Sequence, residues 1–521
     1  MVNNLKEVIK RDLYLEKDRR HRIENIRYLY DITERNINTI DDQTWNDLIM
    51  DDVYSKLDYT YSSQGEAVLY SLLRNPKLDE EDLQDRRKII NELKENRNIL
   101  LRLKCIFYDL GFDNKNVLLE MITGKFKVNS FKFILYIILG ILPIVLIAGA
   151  ITFKQPYFLL ALSFYVYIPM IIHDRENKNI KSIGLVYLQR LLYASRKIIQ
   201  IKESSISSNT NEISEIRLHL KKINRNIKII GVLNAFGGIL EMLSVPFLLE
   251  EICYYSISSE LEKQQINILK LYYLVGELDA LASIAIFEEV NKDKCCIPTF
   301  NDSVSLKIKE GIHPLVNNPI ANSIEINKRG IILTGTNMSG KSTFLRMVST
   351  NIIFAQCFGF VLAKEYEGCF FNIVSSLSPK DDIVNGKSYY LAEAESILRI
   401  IRASEDDIPV FCPIDEIFRG TNPIERIASS AEILRYIQNR DKAICIVATH
   451  DKELADILKN EYEFYYFSED VHKEKGLSFD YKIKKGVSRS RNAIKLLEYI
   501  GYPSLIINRA YRRIENLENY I

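Results

Sequence analysis

The 521-residue sequence lacks several things, and each absence excludes a class of protein. It has no charge imbalance: 69 Lys and Arg stand against 68 Asp and Glu, so no global field draws it to nucleic acid, and any such contact comes from local patches. It has no paired cysteines. Cys105, Cys253, Cys295, Cys296, Cys357, Cys369, Cys412 and Cys445 show neither zinc-knuckle spacing nor a disulfide framework, which points to free thiols in a reducing compartment. No apolar stretch follows the first charges after Met1, so no cleavable leader is expected. No Leu-Ser-Gly-Gly-Gln run is present, which argues against a transporter ATPase.

Charge itself is missing from residues 133–153 and again from 157–172. A helix crossing a bilayer needs about 20 apolar residues, so the first run is a spanning candidate and the second a shorter one. Lys125, Lys127 and Lys132 precede the pair, Arg175 and Lys178 follow it, and the turn carries only Lys154. That bias places both flanks in the cytoplasm, the other reading being two buried core helices. A third apolar run, 229–249, contains Gly237, Gly238, Glu241 and Pro246 and reads as a buried or interfacial helix. Upstream of it, Lys221, Lys222, Arg225 and Lys228 read first as a solvated face, with anionic lipid and nucleic-acid phosphate left open.

What is present begins with a phosphate-binding pattern. Three aliphatic residues, Ile331, Ile332 and Leu333, run into Gly335, Thr336, Asn337, Met338, Ser339, Gly340, Lys341, Ser342 and Thr343, and a helical apolar pattern (Phe344, Leu345, Val348) follows. Glycines let backbone N–H groups turn around a phosphate, the lysine reaches the β and γ phosphates of a nucleotide, and Ser342 is placed to ligate magnesium. Beyond residue 300, β-branched runs at 331–333, 410–414, 443–448 and 462–467 alternate with helical patterns, which indicates an α/β domain with a largely parallel sheet.

Two of those strands end in chemistry. The run from Val410 delivers Asp415, suited to a metal's shell, and Glu416, suited to orienting or deprotonating water. Pro413 inside it points to a bulge, because proline removes a ladder hydrogen bond. The run from Ile444 delivers Thr449 and His450 to the same carboxyl edge, where His450 either serves a phosphate and its water or is a structural hydrogen-bond partner. The stretch from Asp381 and Asp382 to Glu393 reads as a turn and a helix start capped by Ser388.

Together these blocks resemble the MutS family of DNA mismatch-repair ATPases, in that family's order. Asn337 and Met338 match its phosphate loop, Asp415, Glu416, Arg419, Gly420 and Thr421 its Walker B extension, and Thr449 and His450 its switch. Gly311, Ile312, His313 and Pro314 resemble its approach to the ATPase; Gly501, Tyr502, Pro503, Arg509 and Ala510 resemble its ending. Gln64 and Gly65 through Pro76, and Glu277 through Ala285, resemble the two ends of its helical lever core. The match covers about residues 55–105 and 275–515.

The resemblance implies ATP and Mg2+ as cofactors, Glu416, His450 and Lys341 as catalytic residues, Ser342 and Asp415 at the metal, and Ser388 reaching the nucleotide of a partner subunit, hence a homodimer with composite sites. Where the family has an aromatic residue beside the adenine, this sequence offers Pro319, Ile320, Ala321 and Asn322, so Asn322 joins the nucleotide-binding set. No phenylalanine precedes Phe107, so the family's mismatch-reading wedge domain is not expected.

The expected architecture is therefore an α/β P-loop NTPase (ABC-type ATPase) domain at 299–521, preceded by an all-α lever core at 1–130 and 176–298 that a two-helix transmembrane hairpin at 131–175 interrupts. The expected protein lies in the cell membrane with two spans and its ATPase domain cytoplasmic. It binds DNA through the helical core or, alternatively, acts on a protein or lipid partner.

Overall fold

A computed structural model describes the chain apart from residues 1, 16–21, 34, 37, 114, 125–129, 182–183, 202–205, 236–243, 337–338, 378–388, 420, 473–475, 488–492 and 519–521. It divides into two packing units: Met1–Thr33, Asp58–Ser71 and Lys88–Phe287 form a helical one, and Glu34–Leu57, Leu72–Arg87 and Glu288–Ile521 a mixed α/β one.

In the helical unit, the helix Ser63–Arg74 meets the 42-residue helix Leu249–Val290, so the two ends of the expected lever core come together. The contact is close because it is made at glycines. A Cβ on Gly276 would fall 2.5 Å from the Gln64 carbonyl oxygen, and one on Gly65 would collide with the Asp279 carboxylate. Beside this crossing lies a wholly buried ion pair, Lys104 Nζ to Asp279 Oδ1 at 3.0 Å. Asp279 Oδ2 also accepts from Ser62 Oγ (2.7 Å) and the Tyr61 amide (3.0 Å).

The two uncharged runs are helices, Ser130–Phe153 and Tyr157–Tyr165 with its near-continuation Tyr167–Lys181. Both are long and apolar enough to cross a membrane, and only 17% and 11% of their most apolar windows are buried within the protein, so most of their side chains face outward. Of the third run, Lys221–Ala235 is helical, residues 236–243 with Gly237, Gly238 and Glu241 lie outside the described residues, and Val245–Phe247 is a single 3-10 turn.

The mixed unit holds two sheets. Strands β1 (Thr299–Phe300), β2 (Leu306–Gly311), β3 (Asn322–Ile326) and β5 (Glu365–Gly368) pair in the order β1-β5-β2-β3. Strands β4 (Ile331–Thr334), β6 (Asn372–Ile373), β7 (Val410–Asp415), β8 (Ala443–Thr449), β9 (Glu463–His472) and β10 (Gly476–Lys485) pair in the order β10-β9-β4-β8-β7-β6, all parallel except β10.

Strands β4 and β7 are buried along their whole length, which is why they read as unbroken apolar runs. Pro413 makes no bulge: β7 pairs with β8 in unbroken register from Val410 to Asp415. The Pro413 carbonyl accepts from the Ser376 amide, so its missing N–H faces the side where β6 has already ended at Ile373. The ladder has an irregular edge there in any case.

Candidate functional site

Strand β4 lies between β8 and β9, and six residues separate its end from the helix Lys341–Phe358. Between them the chain turns at Gly335 and Gly340, with φ of 152° and 108°. A side chain at Gly340 would be strained by that φ, and its Cβ would press the Tyr481 ring at 3.3 Å. Asn337 and Met338 lie outside the described residues, as does Ser388. Ser339 is buried, and Thr336 and Thr343 line the cavity beside the loop.

Lys341 folds back on its own loop, donating to the carbonyls of Gly335 (2.7 Å) and Thr336 (2.9 Å). Next to it, Ser342 Oγ donates to Asp415 Oδ2 at 2.5 Å, which joins the helix start to the end of β7. Glu416 follows with a left-handed backbone (φ 64°), and its amide donates to the Ala448 carbonyl. That turn aims its carboxylate at two neighbours: Oε1 lies 3.1 Å from His450 Nε2 and Oε2 lies 2.6 Å from Arg419 Nε. Arg419 also approaches Asp415 Oδ1 at 3.5 Å, so one guanidinium spans both carboxylates.

His450 sits between opposite influences, 3.5 Å from Lys341 Nζ and against Glu416. Burial and then the Lys341 ammonium hold its pKa below the ordinary imidazole value, with Glu416 and Asp415 pulling the other way. A neutral imidazole beside a carboxylate can accept or pass a proton. Lysine, hydroxyl, two carboxylates and imidazole thus converge from three strand ends, an arrangement suited to an anion of several phosphates, a divalent cation and an activated water.

These groups line a cavity of about 790 Å³ that also takes in His313, Asn318, Ile320, Phe467 and Tyr481. Asn322 borders it, but its amide is engaged: Nδ2 donates to the Tyr481 carbonyl (2.9 Å) and Oδ1 accepts from the Ile483 amide (2.9 Å). Those bonds secure an irregularity in β10, where the register slips between Phe479 and Ile483 and Tyr481 takes a φ of 51°. Sequence reading missed Tyr481, because nothing local says that β10 folds back to bring an aromatic ring over Gly340. It also gave Arg419 no role of its own.

Residues 331–518 match MutS domain V. The chain is 34% identical over 272 residues to the "DNA mismatch repair protein MutS" of Listeria monocytogenes serotype 4a, an alignment covering 50% of this chain and 31% of that protein. It is 31% identical over 297 residues to the protein of that name from Streptococcus pyogenes serotype M1, covering 54% and 34%. The alignments span about a third of the length of these relatives.

Proposed function

We infer that this chain, whose C-terminal half is that of a MutS-family protein, is a membrane-anchored P-loop ATPase that binds and hydrolyses ATP with magnesium as a homodimer. The observation that supports it most is the convergence of Lys341, Ser342, Asp415, Glu416 and His450 on one cavity. In this reading the loop amides and the helix N-terminus receive the phosphates, and Lys341 exchanges its two carbonyl partners for phosphate oxygens. Ser342 and Asp415 would hold the magnesium ion, which when bound neutralises charge on the phosphates. Glu416 positions and deprotonates water with His450 as its neutral neighbour, Arg419 steadies both carboxylates, and Tyr481 stacks on the base. Ser388 completes the site of the other protomer.

Replacing Lys341 with Ala should abolish ATP binding in equilibrium dialysis while the circular dichroism spectrum is unchanged; undiminished binding would overturn the assignment.

The outward-facing apolar helices support a membrane hairpin through residues 133–172, with the flanks and the ATPase domain cytoplasmic. DNA gripped by the helical core is the reading that the relatives' name favours. The hairpin favours a second, a membrane-bound switch that acts on a protein or lipid partner. Titrating detergent-solubilised protein with duplex and branched DNA at rising salt separates them: binding that weakens steeply with salt supports the first, and none at low salt supports the second.

A further inference from the structure

The helix Lys221–Ala235 carries one continuous exposed stripe made of two halves. Lys221, Lys222, Arg225 and Lys228 form the first, and Ile229 and Val232, 38% and 53% exposed, the second. At 100° per residue all six fall within one third of the helix circumference. A face meant only for water has no use for the apolar half, and one meant for another protein has no evident use for the order of the halves. What decides is where the rest of the helical unit places this stripe.

Two contacts fix the register of this helix against the long helix Leu249–Val290. Lys222 Nζ lies 2.8 Å from Glu260, and Asn226 Nδ2 donates to Ser256 Oγ at 3.0 Å, so the helices run antiparallel and residue 230 falls level with Ile252. Ile252 in turn packs on the first apolar helix, 3.1 Å from where a Cβ on Gly140 would lie, and Phe247 presses the same glycine. One turn nearer the start, Tyr136 and Tyr255 both donate to Glu176, with Lys132 beside them at 2.7 Å.

Residue 230 is therefore level with Gly140, about 14 Å along that helix from Phe131, and Val232 lies about 3 Å further along. Arg225 and Lys228 are level with the stretch of Lys132 and Tyr136, and Lys221 and Lys222 lie beyond it. The first apolar helix already presents Phe131, Ile134 and Ile138 outward over this same stretch, at 75%, 57% and 61% exposure.

We propose that the helix Lys221–Ala235 is a third membrane-contacting element, with Ile229 and Val232 facing acyl chains and its four basic residues binding the phosphates of anionic phospholipid headgroups. The inference rests on the membrane reading of the hairpin. Lysine and arginine stems reach from an apolar depth back to phosphate, and each basic residue near an anionic surface strengthens association with it about fivefold.

The test uses the full chain reconstituted in vesicles whose acyl chains are brominated, made of phosphatidylcholine with or without phosphatidylglycerol. Trp45, the native tryptophan, is buried in the other unit and supplies a constant background. Tryptophan introduced by Ile138→Trp reports on the hairpin, and by Val232→Trp on this helix. Both should be quenched, and phosphatidylglycerol should co-purify at several times its bulk ratio. Replacing the four basic residues by Gln should return that ratio to bulk, and replacing the three lysines by Arg should leave it high.

If Ile138→Trp is unquenched, the hairpin reading fails and this inference with it. Quenching of Ile138→Trp without Val232→Trp, or lipid enrichment that survives the Gln variant, overturns the inference and leaves the hairpin standing. If the Gln variant instead loses salt-dependent duplex binding with its lipid ratio unchanged, the stripe faces nucleic acid and the proposal is wrong.

Discussion

Each unit of the molecule holds a polar cluster that contains a lysine and an aspartate, and the two settings are opposites. Lys104 and Asp279 are entirely enclosed, and they also bond the Tyr59 carbonyl, the Tyr61 amide and Ser62. Lys341 and Asp415 border a cavity, held by loop carbonyls, a serine hydroxyl and an arginine that can all change partners. Burial of charge therefore does not mark a functional site. What distinguishes one is access, together with partners whose bonds a ligand can replace.

Disabling the open cluster should leave the fold untouched and have the largest effect. Glu416→Gln should slow ATP hydrolysis by about 10²–10⁴-fold, the range of a positioned general base. Because its bond to Arg419 is partly solvated, ATP affinity and the unfolding midpoint should barely move. Single-turnover hydrolysis beside a binding isotherm checks it, and normal turnover would remove Glu416 from its role.

The enclosed cluster should behave the other way. Lys104→Met removes the cation that faces the buried Asp279 carboxyl, at a cost of about 3–5 kcal/mol in denaturant unfolding. Removing both charges, as Met with Asp279→Leu, should recover much of that loss. Lys341→Met should cost little stability by the same measurement.

How much of each cluster was legible follows from chain separation. Ile331 to Ser342 declares itself because an apolar strand, two glycines and a helix start are consecutive, and Asp415, Glu416 and His450 because each closes its own apolar run. Lys104 and Asp279 stand 175 positions apart, and nothing in either neighbourhood names the other. Likewise the segments Glu34–Leu57 and Leu72–Arg87 belong to the mixed unit through bonds between residues far apart in the chain. Asp47 there accepts from Ser375 Oγ, and Arg86 donates to the Cys357 carbonyl, contacts that no periodicity encodes.

Within the cavity, burial still separates two histidines. Burial, with the Arg346 guanidinium adding to it, pushes His313 down to about 4, and its Nδ1 accepts from the Leu315 amide. As pH falls the unfolded chain takes up this proton first, from about 6.5, so stability is full above that pH and declines toward about 4, by up to ~1.4 kcal/mol per pH unit. His313→Asn should remove that slope from denaturant midpoints measured across the range. His450, more exposed, should contribute far less to it.

The smallest effect tests the residue that only the three-dimensional structure reveals. Tyr481 reaches the cavity through the irregularity in β10, held by Asn322, and its ring lies over Gly340 where the loop turns into the helix. An aromatic face there offers a nucleotide base a stacking surface, and removing such a surface costs about 1–3 kcal/mol per base. Tyr481→Ala should therefore weaken ATP binding by roughly 5- to 150-fold at that magnitude. Tyr481→Phe, which keeps the face and loses the hydroxyl, should bind normally. Inorganic triphosphate has no base to stack, so its affinity should be the same in all three proteins. If Ala weakens triphosphate as much as ATP, Tyr481 acts by shaping the phosphate loop, and the open cluster depends on packing as the enclosed one does.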